Sequence, residues 1–203
     1  MTPPTILIVP GLRDHVPAHW QTLLATELAA QSIPCVTVPP LESNQLSCTA
    51  RLDAIDQALQ AIAGPVLIVA HSAGCMMVAH WAQRSAPAAL QQITGALLAA
   101  PADVETPMPA GYPDKAVLAD NGWTPIPRQR LPFPTVLAAS SNDPLTALER
   151  ARRFAQDWGS TLVELGPQGH LNPASGHGPW PQAMALIQDV QTLARAQPAT
   201  ATV

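Results

Sequence analysis

The sequence predicts a doubly wound α/β domain, with a mostly parallel sheet of about six strands and helices on both faces. Two observations predict it. Apolar runs of strand length alternate with helix-length segments along the whole chain. The runs are also continuously apolar, without the in–out alternation of a sheet that faces water, so both of their faces must be covered.

The elements follow in order. Ile6 to Pro10 reads as a strand and Ala18 to Gln31 as a helix. Ile33 to Val38 is the second strand, followed by a helix over Cys48 to Ala63. Val66 to Ala70, in the run Pro65-Val66-Leu67-Ile68-Val69-Ala70, is the third strand, and Ala73 to Arg84 the helix after it. Thr94 to Ala99 and Thr135 to Ala139 are strands, and Thr146 to Asp157 is a helix. Thr161 to Leu165 is the last strand and Pro181 to Ala196 the last helix. The segment 101–134 breaks this rhythm with Pro101, Pro107, Pro109, Pro113, Pro125, Pro127, Pro132 and Pro134. Its prolines argue against a helical cap. It leaves a strand end, where α/β sheets bind ligands, so it is expected to form a short lid or pocket wall, or else a rigid surface connection. Residues 1–203 are read as one domain.

The composition excludes several classes. The chain has 203 residues, is 47% hydrophobic and carries a net charge of −4, so nucleic acid is not an expected partner. No apolar run approaches the roughly 20 residues of a membrane span. Met1-Thr2-Pro3-Pro4 lacks the basic and apolar regions of an export signal. The three cysteines, Cys35, Cys48 and Cys75, are odd in number and scattered, which suggests reduced thiols and a cytoplasmic setting.

Ala70-His71-Ser72-Ala73-Gly74 is the most informative stretch. It joins a predicted strand to a predicted helix, the context in which a G-x-S-x-G-like turn lifts a Ser hydroxyl off the sheet edge as a nucleophile. The first small residue is Ala70 in place of Gly, a departure of one methyl group. The alternative is a Ser that merely caps the helix.

A nucleophilic Ser needs a general base, and the base needs an orienting acid. Asp143 and His170 follow two later strands in the order Ser, acid, His. All three fall past strand C-termini on one sheet edge. Asp103 also follows a strand and is the rival acid. His71 adjoins Ser72 but projects away from it at a sharp turn. His15 and His19 are spaced i, i+4 but lack the intervening Glu of a helical zinc motif, so no metal is expected. His80 is expected on a helix face and His177 in a turn or at a helix start. Backbone N–H groups of Leu12, after Gly11, and of Ala73 are candidates for an oxyanion hole. Gly11, Trp20 and Trp123 are candidates to line the substrate pocket.

Pro10-Gly11-Leu12, His19-Trp20-Gln21, the Ser72 turn, Asn142-Asp143-Pro144 and Gly169-His170-Leu171-Asn172, continuing through Ser175-Gly176 to Gly178-Pro179-Trp180-Pro181, resemble the small serine hydrolases of the retinoblastoma-binding-protein-9 and YdeN type. The resemblance runs from Ile6 to about Val190. It implies a compact α/β-hydrolase fold without a large cap, and Ser72, Asp143 and His170 as its triad. Ala70 and His15 depart from the family pattern. Leu46-Ser47-Cys48-Thr49-Ala50 falls short of the retinoblastoma-pocket motif by its last residue, so no such partner is carried over. The function expected is cleavage of small esters through an acyl-serine, without a cofactor. Amide or peptide cleavage at the same site, or a binding module that keeps the fold, are the alternatives.

Overall fold

A computed structural model describes residues 3–13, 15–41 and 43–196; Met1 and Thr2, read above for an export signal, lie outside them. Six strands form one parallel sheet: β1 (Thr5–Val9), β2 (Cys35–Thr37), β3 (Val66–His71), β4 (Ile93–Ala99), β5 (Thr135–Ala139) and β6 (Thr161–Glu164). Their order is β2-β1-β3-β4-β5-β6, and every neighbouring pair is parallel.

Strand side chains divide by the two-residue period of a β-strand. Leu7, Val9, Ile68 and Ala70 enter the core shared with α2 (Cys48–Gln60), α3 (Ala73–Arg84) and α6 (Leu148–Trp158). Ile6, Ile8, Leu67 and Val69 enter the opposite core, built with α1 (Trp20–Ala30) and α7 (Gln182–Ala196). Burial on both faces explains the unbroken apolar runs. β2 is shorter than its apolar run because it lies at the sheet edge and pairs with β1 alone.

Two short helices were outside the sequence expectation: α4 (Pro87–Gln91) and α5 (Lys115–Asp120). Both are too short to carry a helical period. The second lies within 101–134, where the prolines argue against a helical cap but leave room for one short helix. It occupies the proline-free stretch between Pro113 and Pro125, capped by the Asp114 carboxylate on the Ala116 N–H. It buries Leu118 alone and forms no large cap.

The strand order positions the site. From β1 the chain moves outward to β2, then returns to β3 on the other side of β1. Ligands of such sheets bind at this reversal, beyond the carboxyl ends of the strands. Val9 pairs with Ala70, so the loops after β1 and β3 leave the sheet side by side. They carry Gly11–Leu12 and Ser72.

Candidate active site

Ser72 has φ 58° and ψ −126°, a conformation that L residues adopt only when their surroundings enforce it. The enforcement comes from close packing. A Cβ on Gly74 would lie 2.4 Å from the Val9 carbonyl oxygen and 2.8 Å from that of Pro10, so the first turn of α3 can press against the β1 loop only with Gly there. At Ala70 the additional methyl packs into the α2–α3 core, and the turn accepts it. The Ser72 side chain makes no cap bond to α3, contrary to the capping alternative.

The hydroxyl instead meets a histidine. Ser72 Oγ lies 2.8 Å from His170 Nε2, and His170 Nδ1 lies 2.9 and 2.8 Å from the two Asp143 carboxylate oxygens. The carboxylate can only accept, so Nδ1 carries the proton and Nε2 is free to take one from Ser72. The His170 and Asp143 side chains are both buried.

Polar residues outside the sequence expectation tie these loops together. Ser140 Oγ donates to Asn142 Oδ1 and accepts from the Gln168 N–H; Asn142 Oδ1 also accepts from the Gly169 N–H. The loop after β5 is thereby fastened to the loop that carries His170. A Ser and an Asn just past a strand are turn signals in any sequence; which loop they bond is a tertiary matter. His71 is bound in the same way. Its Nε2–H donates to the His170 carbonyl over 2.8 Å, and its ring lies between those of His170 and His19, tilted against both, at centroid distances of 4.9 and 4.6 Å.

The rival acid is engaged elsewhere. Asp103 is buried, and both its oxygens accept from Arg150, at 2.7 and 3.0 Å. His80 sits on α3, where its Nε2–H donates to the Trp123 carbonyl. His177 lies just after the 3-10 turn Pro173–Ser175. His15 is exposed, while His19 is buried and caps α1 by accepting from the Gln21 N–H. Among the described residues no three His, Cys, Asp or Glu side chains are grouped to hold a metal ion. Cys75 is buried against the Ala99 carbonyl, and burial raises its thiol pKa, which disfavours a reactive thiolate.

A cavity of about 330 Å³ opens over Ser72. Gly11 and Leu12 form its β1 side, and Met108, Tyr112 and Pro113 its side from the 101–134 segment. A Cβ on Gly11 would stand 3.1 Å from Ser72 Cβ and 3.4 Å from its Oγ. The two tryptophans expected at the pocket are placed elsewhere. Trp20 opens α1, and with Leu24 and Leu28 it points into the α1–α7 core, edge-on to Trp180 at 4.8 Å. Trp123 is buried in the other core, where its Nε1–H donates to the Leu46 carbonyl. Their bulk is used for packing.

The family model described as serine hydrolase matches residues 6–189. The chain belongs to the serine hydrolase family. Among solved structures, this serine hydrolase is similar to a YdeN-like hydrolase from Pectobacterium atrosepticum, with 28% identity, a TM-score of 0.72 and coverage of 94% of this chain and 90% of the other. It also resembles the ydeN gene product of B. subtilis, at 17% identity and TM-score 0.67, covering 94% and 100%. A third likeness is to Est1E from Butyrivibrio proteoclasticus, at 12% identity and TM-score 0.65, covering 93% and 86%. The last two show the shared fold. No curated protein matches the chain.

The buried histidines of this serine hydrolase predict its acid stability. Burial, then the nearby His170 and His177, push His19 down to about 4; burial, then His170 and His19, hold His71 well below the ordinary imidazole range. The unfolded chain takes up these protons near pH 6.5, and the folded chain refuses them, so stability is full above that pH and declines as pH falls toward about 4. A calorimetric series is expected to show Tm falling across this window. The fall should be shallower in His19→Asn, which keeps a capping side chain. Parallel curves for the two proteins would contradict the assignment.

Proposed function

We propose that the protein is a serine esterase acting on small carboxylic esters. The observation that carries this reading is the hydrogen-bonded line from Ser72 through His170 to Asp143 at the floor of a largely apolar cavity. As Ser72 Oγ attacks the ester carbonyl, its proton passes to His170 Nε2. Asp143 holds the ring in the right tautomer and stabilises the imidazolium. The N–H groups of Leu12 and Ala73 receive the oxyanion; that of Ala73 opens α3, where amides lack intrahelical acceptors. Collapse breaks the C–O bond, and His170 protonates the departing alcohol. Water then adds to the acyl-serine and gives its proton to His170. Collapse of this second intermediate releases the acid and restores Ser72. Acid–base groups and water suffice for every step. The three free cysteines suit a reducing compartment such as the cytoplasm.

The test combines labelling and turnover. A fluorophosphonate should modify Ser72 and abolish hydrolysis of p-nitrophenyl esters; modification at Cys75, or undiminished activity after labelling, would refute the reading. If amides are cleaved faster than matched esters, the site is that of an amidase. Labelling without turnover of either would indicate a binding module.

The size of the cavity sets a further expectation. Each methylene buried in a pocket contributes about 0.8 kcal/mol until the pocket is full. In a cavity of about 330 Å³, kcat/KM should peak at short acyl groups, roughly acetyl to hexanoyl, and then decline. A steady rise out to palmitoyl would mean a lipid-sized groove.

A further inference from the structure

The wall of the cavity over Ser72 has one-sided electrostatics. Among the described residues it carries no Asp or Glu, and its one full charge is Arg13. Asp143 stands behind His170 and is committed to it. Arg13 lies in the loop after β1, yet its guanidinium is held by the opposite wall. It sits 5.1 Å from the centroid of the Tyr112 ring, and Nη2 donates to the Gly111 carbonyl over 3.5 Å. A guanidinium has five N–H donors, so most of its capacity is left for a ligand. The ring contact limits its freedom and orients the fork before any ligand arrives.

A second polar residue borders the same space. His19 borders the cavity, and its Nδ1 is occupied as the acceptor that caps α1. The neutral ring therefore carries its proton on Nε2, as a donor. Burial keeps the ring neutral near pH 7. Among the described lining residues, the cation Arg13 and the donor His19 stand with neutral polar side chains such as Gln21, Tyr112 and Asn172, and with no carboxylate. Such a wall suits a ligand that brings its own negative charge.

We propose that this site takes esters bearing a second, anionic group, a carboxylate remote from the scissile bond, and that Arg13 is the residue that selects it. The proposal rests on the reading of Ser72 as nucleophile. It places the scissile carbonyl at Ser72 and the distal carboxylate under the Arg13 fork.

Two matched pairs of substrates test it. Mono-4-nitrophenyl glutarate against 4-nitrophenyl valerate places the charge on the acid side. 4-Acetoxybenzoate against 4-acetoxybenzamide places it on the alcohol side. The ratio of kcat/KM, anionic over neutral, is expected to exceed one by about five- to tenfold in one pair. That ratio should shrink at high salt, fall toward one in Arg13→Gln and stay partly above one in Arg13→Lys. The pair that discriminates tells which side of the ester carries the carboxylate. Ratios at or below one in both pairs, or a ratio untouched by Arg13→Gln, overturn the role of Arg13. Fluorophosphonate labelling of Ser72 is read in every variant. Its absence in the unmodified protein overturns the nucleophile and the proposal with it; its presence with an unchanged ratio overturns Arg13 alone.

Discussion

Ser72→Ala is expected to lower kcat for p-nitrophenyl acetate by about 10⁵- to 10⁶-fold, with little change in KM. Under the proposed mechanism, the substitution removes the atom that would form the acyl-enzyme and leaves the proposed oxyanion donors, the Leu12 and Ala73 N–H groups, and the cavity in place. Residual rate from those parts alone should be about 10³-fold above water. The fold should survive the change. The Ser72 side chain makes no cap bond to α3, and among the described residues its hydroxyl bonds His170 Nε2. Ala has the same backbone strain at φ 58° as Ser, so Tm should stay close to that of the unmodified protein. A burst-phase and steady-state assay, with a melting curve on the same sample, checks both statements. A loss of only a fewfold would place the nucleophile elsewhere.

The two aspartates should separate by effect as well as by size. Asp143→Asn replaces an acceptor with an amide that can present an N–H to His170 Nδ1 and favour the wrong tautomer. The expected cost is about 10⁴ in kcat. Asp103→Asn leaves His170 untouched, since Asp103 bonds Arg150. Its cost should fall on stability: the charge-assisted fork from Arg150 is reduced to at most a hydrogen bond to a neutral amide oxygen, and Arg150 keeps its ion pair with Glu105. Urea unfolding should show a lower midpoint for Asp103→Asn while kcat changes by a fewfold. If Asp103→Asn costs the larger loss in kcat, the orienting acid follows β4 rather than β5.

The legible parts of this protein were those written in local pattern. Leu67, Ile68 and Val69 are apolar in succession because both faces of β3 are buried, and that marks a parallel central strand. Gly74 was legible because a small residue after Ser is what a strand-to-helix turn requires, and the carbonyls of Val9 and Pro10 supply the reason. Less legible were α4 and α5, each shorter than two turns, which leaves no period to read. Trp20 and Trp123 carry the same composition signal whether they line a pocket or fill a core. Only the packing of α1 against α7, and of the 101–134 segment against Leu46, sends them inward.

The sequence by itself determined the sheet and its longer helices, the turn at Ser72, and the succession of Ser72, Asp143 and His170 past strand ends. These follow from covalent neighbours and from periodicity, which act over a few residues. The sequence already favoured Asp143 over Asp103; the contacts that set Asp143 against His170 and Asp103 against Arg150 were tertiary decisions. So were the fastening of the His170 loop by His71, Ser140 and Asn142, and the meeting of Arg13 with Tyr112 across the cavity. Those contacts join residues some 27 to 99 positions apart, and no local rule relates their side chains until the sheet has brought the loops to one edge.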